Sequence, residues 1–121
     1  MKWGDLSTAP AAGTIAAQVG DVKGAIAVTI TTAAGDFPLL LVRIGIGTEV
    51  KGYVNMCPHQ YLPLDYRSPQ LLSKDGTTLM CSAHGAMFDA VTGIGIAGEG
   101  QGCTLISVPL AVVSDQIRIA C

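Results

Sequence analysis

Two short segments hold every histidine in the chain, Cys57-Pro58-His59 and Cys81-Ser82-Ala83-His84, with twenty-one residues between His59 and Cys81. Each sets one thiol and one imidazole a few residues apart. Thiolates and imidazoles are the usual ligands of zinc and iron, so the first chemistry to weigh is metal binding. A zinc finger pairs like with like, because one hairpin supplies both Cys and one helix supplies both His. Here each segment supplies one of each. If the two loops lie side by side, both thiolates can meet one iron and both imidazoles its neighbour, the ligand division of a binuclear iron-sulfur centre. A structural zinc site remains open from the same four donors. Nucleophilic catalysis of the Ser-His-Asp or Cys-His kind is not expected, since it would need an imidazole that these segments already commit.

The chain resembles the Rieske-type ferredoxins and Rieske domains. The resemblance rests on C-x-H at Cys57 to His59, C-x-x-H at Cys81 to His84, Leu64 after the first loop, and Gly85-Ala86-Met87-Phe88-Asp89 with Thr92-Gly93 after the second. It covers about residues 14–119 and is strongest over 54–93. It implies an all-β Rieske fold, a sandwich-like base of antiparallel sheets with an inserted cluster-binding subdomain. It also implies one [2Fe-2S] cluster, with Cys57 and Cys81 on the inner iron and His59 and His84 on the outer. Gly85 would let the backbone approach a bridging sulfide, and Leu64, Gly85, Ala86 and Phe88 would surround the cluster. High-potential members carry a disulfide between the two loops and Ser and Tyr hydroxyls bonded to cluster sulfurs; here Leu62 and Ala83 stand at the disulfide positions, Ala86 for the Ser and Phe88 for the Tyr. Hydroxyl donors stabilise the charge of the reduced cluster, so their loss sets an expected potential near the lower end of the Rieske range, roughly −150 mV. The inter-motif gap is longer than in oxygenase-type relatives. The surplus is expected between Tyr66 and Thr78, with a hairpin turn at Asp75-Gly76. The run from Gly98 to Gly102 lacks the proline that many relatives carry.

Strands must hold those loops. Residues 25–32 alternate, with Ile26, Val28 and Ile30 on one side and Ala27, Thr29 and Thr31 on the other, the period-2 pattern of a half-buried strand. A turn is expected at Gly35-Asp36, then a continuous apolar run at 39–46 broken by Arg43, and a third strand at 50–55. Three strands in succession imply an antiparallel meander. Three further runs follow at 104–108, 110–114 and 117–120, the last two joined at Asp115-Gln116 in a closing hairpin. The Ala-rich stretch 9–19 contains Pro10, Gly13, Thr14 and Ile15, which argue against a helix. The division expected is therefore a single domain, 1–121, with a base of 1–55 and 103–121 and the site inserted at 56–102.

Composition bounds the rest. The 121 residues, half of them apolar, suffice for one core and are too few for two ordinary domains. Seven Lys and Arg against nine Asp and Glu give a net charge of −2, with no basic cluster to neutralise phosphates, so a nucleic-acid partner is not expected. No apolar run approaches the about 20 residues of a membrane span, and Asp5 stands where an export signal would begin its apolar stretch. Cytoplasmic residence and reduced thiols are the expectation, which leaves Cys103 and Cys121 as bystander thiols. An oxygenase would need two more His and a carboxylate for a mononuclear iron, and no His is left. The resemblance thus implies a monomeric one-electron carrier, not an enzyme, between a flavin-dependent NAD(P)H reductase and a terminal oxygenase of the ring-hydroxylating type. Tyr61, Leu62 and Pro63, with Gly85 and Ala86, are expected to form its docking surface. Alternatives are a Rieske subunit of another oxidoreductase, of the nitrite reductase or arsenite oxidase type, or a redox sensor or assembly factor.

Overall fold

The apolar run at 39–42 is continuous, which a strand tolerates when both of its faces are covered. In the computed structural model, which describes residues 3–44, 49–56, 63–65, 71–81, 86–97 and 103–120, that run lies in a strand of the central sheet. The strands are β1 (Ile15–Gln18), β2 (Ala25–Thr32), β3 (Gly35–Arg43), β4 (Val50–Val54), β5 (Thr78–Met80), β6 (Met87–Asp89), β7 (Gly95–Ala97), β8 (Ser107–Val108), β9 (Leu110–Val113) and β10 (Gln116–Ile119). All pairings among them are antiparallel. They make three sheets, ordered β1-β10-β9, β2-β3-β4-β8 and β5-β6-β7.

Strand β3 is covered on both faces over 39–42, whereas Ala27, Thr29 and Thr31 of neighbouring β2 stay exposed. Leu39 and Leu41 point into one core with Val54, Ile117 and Ile119. Leu40 and Val42 point into the other, with Tyr53, Leu79, Cys81 and Phe88. The central sheet is thus sandwiched, with the β1-β10-β9 sheet packed on one face and the β5-β6-β7 sheet on the other. The meander expected from 25–55 is β2-β3-β4, and the Ala-rich segment 9–19 ends in a strand with no α-helix among the described residues.

Two turns fall one or two residues earlier than the sequence reading placed them. Between β2 and β3 the turn is Ala33-Ala34, and Gly35 already pairs with Thr32. The Thr32 hydroxyl closes it, donating to the Gly35 carbonyl at 2.8 Å and accepting from the Ala34 N–H at 3.2 Å. That register sets Ile30 opposite Phe37, both buried. Between β9 and β10 the turn is Ser114-Asp115, with φ of 51° and 63°. Both are left-handed, as a two-residue hairpin turn with the right twist requires, and the resulting register turns Ile117 and Ile119 inward. Strand β4 stops at Val54, leaving Asn55 outside it, and β8 is shorter than the 104–108 run. The Asp75-Gly76 turn stands as expected: Gly76 has φ of 77°, and the Gly76 N–H donates to Ser73 O at 3.0 Å.

Candidate cluster-binding site

The second Cys-His segment connects β5 to β6. Met80 and Met87 form the last pair of that hairpin, and beyond it the Cys81 N–H donates to the Ala86 carbonyl at 2.8 Å. The two residues that flank 82–85 are therefore tied to each other. Cys81 itself is 1% exposed and packs in one core with Leu64, Leu79, Ala86 and Phe88. A neutral thiol is a small hydrophobe content in such surroundings, but apolar burial opposes the thiolate unless a cation compensates. A metal ion held there would supply that compensation, since a coordinating thiol is bound as the thiolate.

The first segment leaves β4 at a sharp corner. The Met56 N–H donates to Val54 O at 2.8 Å, and the Asn55 N–H reaches back to Pro38 O in β3 at 3.1 Å. On the far side of the loop the Leu64 N–H donates to Asn55 Oδ1 at 2.9 Å, and Asn55 Nδ2 donates to Asp65 Oδ1 at 3.0 Å. The described residues flanking each Cys-His segment are thus hydrogen-bonded to each other. Cys57, His59, Tyr61, Leu62, His84 and Gly85 lie outside the described residues, as do Ala83, Cys121 and the 98–102 run.

Of the residues expected around the cluster, Leu64, Ala86 and Phe88 do come together with Cys81, all fully buried. Ala86 is consequently not part of a docking surface: its side chain faces the core, because it closes the hairpin loop through its carbonyl. Pro63 is exposed. Cys103 is half-buried against the same core and has no disulfide among the described residues.

Sequence reasoning missed three residues that hold this region. Asn55 and Asp65 carry no motif, and an Asn after a strand reads as an ordinary turn former. Tyr53 is the third. Its ring is 2% exposed, its hydroxyl donates to Ala90 O at 2.8 Å, and its Cε1 would stand 2.8 Å from a Cβ on Gly93. It pins the turn after β6 to the central sheet. Burial, helped by the charge of Asp89, pushes the Tyr53 hydroxyl up to about 12. The Asp89 carboxylate is held below its usual range by N–H donation from Thr92 and Val91, which caps that same turn.

All-β sheets stacked three deep, with a buried Cys81 and with the ends flanking each Cys-His segment tied together, are the frame on which the family can be read. The sequence pattern of the Rieske [2Fe-2S] domain matches residues 13–116, and the chain belongs to that family. The domain is one that binds a [2Fe-2S] cluster, and a buried Cys81 within a set of two thiols and two imidazoles fits that group. The fold is shared with the ferredoxin of carbazole 1,9a-dioxygenase from Nocardioides aromaticivorans IC177 (TM-score 0.70, 19% identity, covering 91% of this chain and 98% of that one). A ferredoxin of Sphingomonas yanoikuyae B1 is similar at TM-score 0.68 and 25% identity, with 90% and 98% covered. The plasma membrane Rieske protein PetC3 of the cyanobacterium Synechocystis PCC 6803 is similar at TM-score 0.65 and 20% identity, with 89% and 99% covered. No curated protein matches the chain. No helix among the described residues is long and apolar enough to cross a membrane.

Proposed function

We propose that the chain is a one-electron carrier whose [2Fe-2S] cluster is held by Cys57 and Cys81 on one iron and by His59 and His84 on the other. The observation that carries this is the buried Cys81 thiol at the base of a closed loop, in a wall of Leu64, Ala86 and Phe88. The cluster, when bound, takes up and releases a single electron. The chain's part is to hold the Cys81 thiolate in a dry core and to offer no hydroxyl donor from positions 86 and 88. Ala86 and Phe88 offer none, which supports a potential near the low end of the Rieske range, roughly −150 mV.

The reading extends to a base of 1–55 and 103–121 with the cluster-binding segment inserted at 56–102, and to a monomer in the cytoplasm. Its electrons come from a flavin-dependent NAD(P)H reductase, as the family resemblance implies, and go to a terminal oxygenase of the ring-hydroxylating type, which the likeness to a ferredoxin of carbazole 1,9a-dioxygenase supports. Tyr61, Leu62 and exposed Pro63 are the docking residues in this reading. It assigns no catalytic residue, since both His are ligands. The test is a reconstituted chain of NADH, reductase, this protein and a ring-hydroxylating oxygenase. Product formation that requires the protein, and fails with Cys81→Ser, supports the reading; reduction of the protein without onward transfer to any such oxygenase would reject the partner assignment.

A further inference from the structure

Among the described residues Asn55 is the one amide or charged side chain that is buried, at 7% exposure. A buried amide is costly unless its donor and acceptor are both used. Here both are. Its Oδ1 takes the Leu64 N–H and its Nδ2 gives to the Asp65 carboxylate, a pairing that fixes which way the amide faces, since a backbone N–H can only donate and a carboxylate can only accept. Its own backbone is tied to β3 through Pro38 O, so the amide is anchored to the central sheet and not to the loop it holds. Leu64, the residue it grips, is fully buried in the same core as Cys81. The amide therefore joins the start of the first loop, two residues before Cys57, to the end of that loop, and sets that end against the wall around Cys81.

We propose that Asn55 and Asp65 form a latch that ties the two ends flanking the Cys57–His59 segment to each other and to the core around Cys81, and so governs how firmly the cluster is kept. The proposal rests on the ligand assignment above, and it makes Asn55 a positioning residue. Asn55→Asp keeps an acceptor for the Leu64 N–H but sets an oxygen against Asp65. Adding Asp65→Asn restores a donor from the opposite side, so the double variant rebuilds the latch with its polarity reversed.

The experiment measures loss of visible cluster absorption from holoprotein in excess chelator, at a temperature where the far-ultraviolet circular dichroism of each variant is unchanged. The electron paramagnetic resonance line shape of each reduced protein is recorded alongside. Asn55→Asp should lose the cluster about tenfold faster, as expected for one charge-opposed buried hydrogen bond, with an altered line shape. The double variant should return to within about twofold of the parent. Equal rates for Asn55→Asp and parent, or a double variant no slower than Asn55→Asp, would overturn the latch. If Asn55→Asp takes up no cluster, the readout becomes cluster per chain: loading regained in the double variant supports the latch, and loading absent from it refutes the latch. A parent protein with no [2Fe-2S] signal is a separate failure, which removes the ligand assignment and the latch with it.

Discussion

Two glycines share one backbone conformation and differ only in the space around them, which makes a paired substitution informative. Gly93 and Gly76 both have φ of 77°. A Cβ at Gly76 meets nothing within 4 Å, whereas at Gly93 it would stand 2.8 Å from Tyr53 Cε1 and 3.4 Å from Leu105 Cβ. Alanine at either position bears the left-handed strain, about 1–2 kcal/mol. Gly93→Ala adds overpacking of about 1–3 kcal/mol, because Tyr53 cannot swing aside: its ring is buried and its hydroxyl is held by Ala90 O. For a 121-residue chain, about 1 kcal/mol corresponds to about 4 °C in the thermal midpoint. Gly76→Ala should lower the midpoint by about 4–8 °C and Gly93→Ala by about 8–20 °C. The assay is far-ultraviolet circular dichroism of anaerobic holoprotein at one scan rate. Equal losses for the two variants would refute the claim that Tyr53 is a fixed wall between the central sheet and the turn after β6.

Other outcomes follow from the same region. Tyr53→Phe strands the Ala90 carbonyl and should cost about 1–3 kcal/mol at neutral pH. Because the folded Tyr53 hydroxyl sits at about 12 against an ordinary 10.0, its contribution is intact below pH 10 and lost as pH rises toward 12; Tyr53→Phe should flatten that alkaline decline in the midpoint. Asp89 is shifted the other way, so its contribution is present above its ordinary 3.8 and lost as pH falls below it; Asp89→Asn should show a shallower acid decline than the parent. Cys103→Ser should leave the visible cluster spectrum unchanged while Cys81→Ser abolishes it, and the reverse result would reassign the ligands.

Much of the framework was legible because it is written in local patterns. The continuous apolar run at 39–46, broken by Arg43, marked the middle strand of the meander, and the fold shows why it is apolar over 39–42: β3 is covered there on both faces. Alternation at 25–32 marked β2 to the residue. Turn positions were less legible, since Gly and Asp signal a turn without setting its register. The Thr32 hydroxyl closed one turn before Gly35, and paired left-handed residues at Ser114 and Asp115 set the other. Around the site, Cys81, Leu64, Ala86 and Phe88 were identifiable from spacing and resemblance, and they do meet in one core. Ala86 was misplaced on the surface because spacing says which residues lie near a loop and not which way they face. Asn55 and Asp65 were invisible because their partners are made by the fold across a loop, not by any repeat or motif.

The proposed electron carrier depends on a cluster with two thiolate and two imidazole ligands. Iron and sulfide analysis with electron paramagnetic resonance and nitrogen hyperfine spectroscopy of the reduced protein tests it most directly. The protein should hold about two irons and two sulfides per chain, with couplings from two imidazole nitrogens bound to one iron. Zinc with no paramagnetic signal, or a reduced cluster without nitrogen couplings, would contradict it.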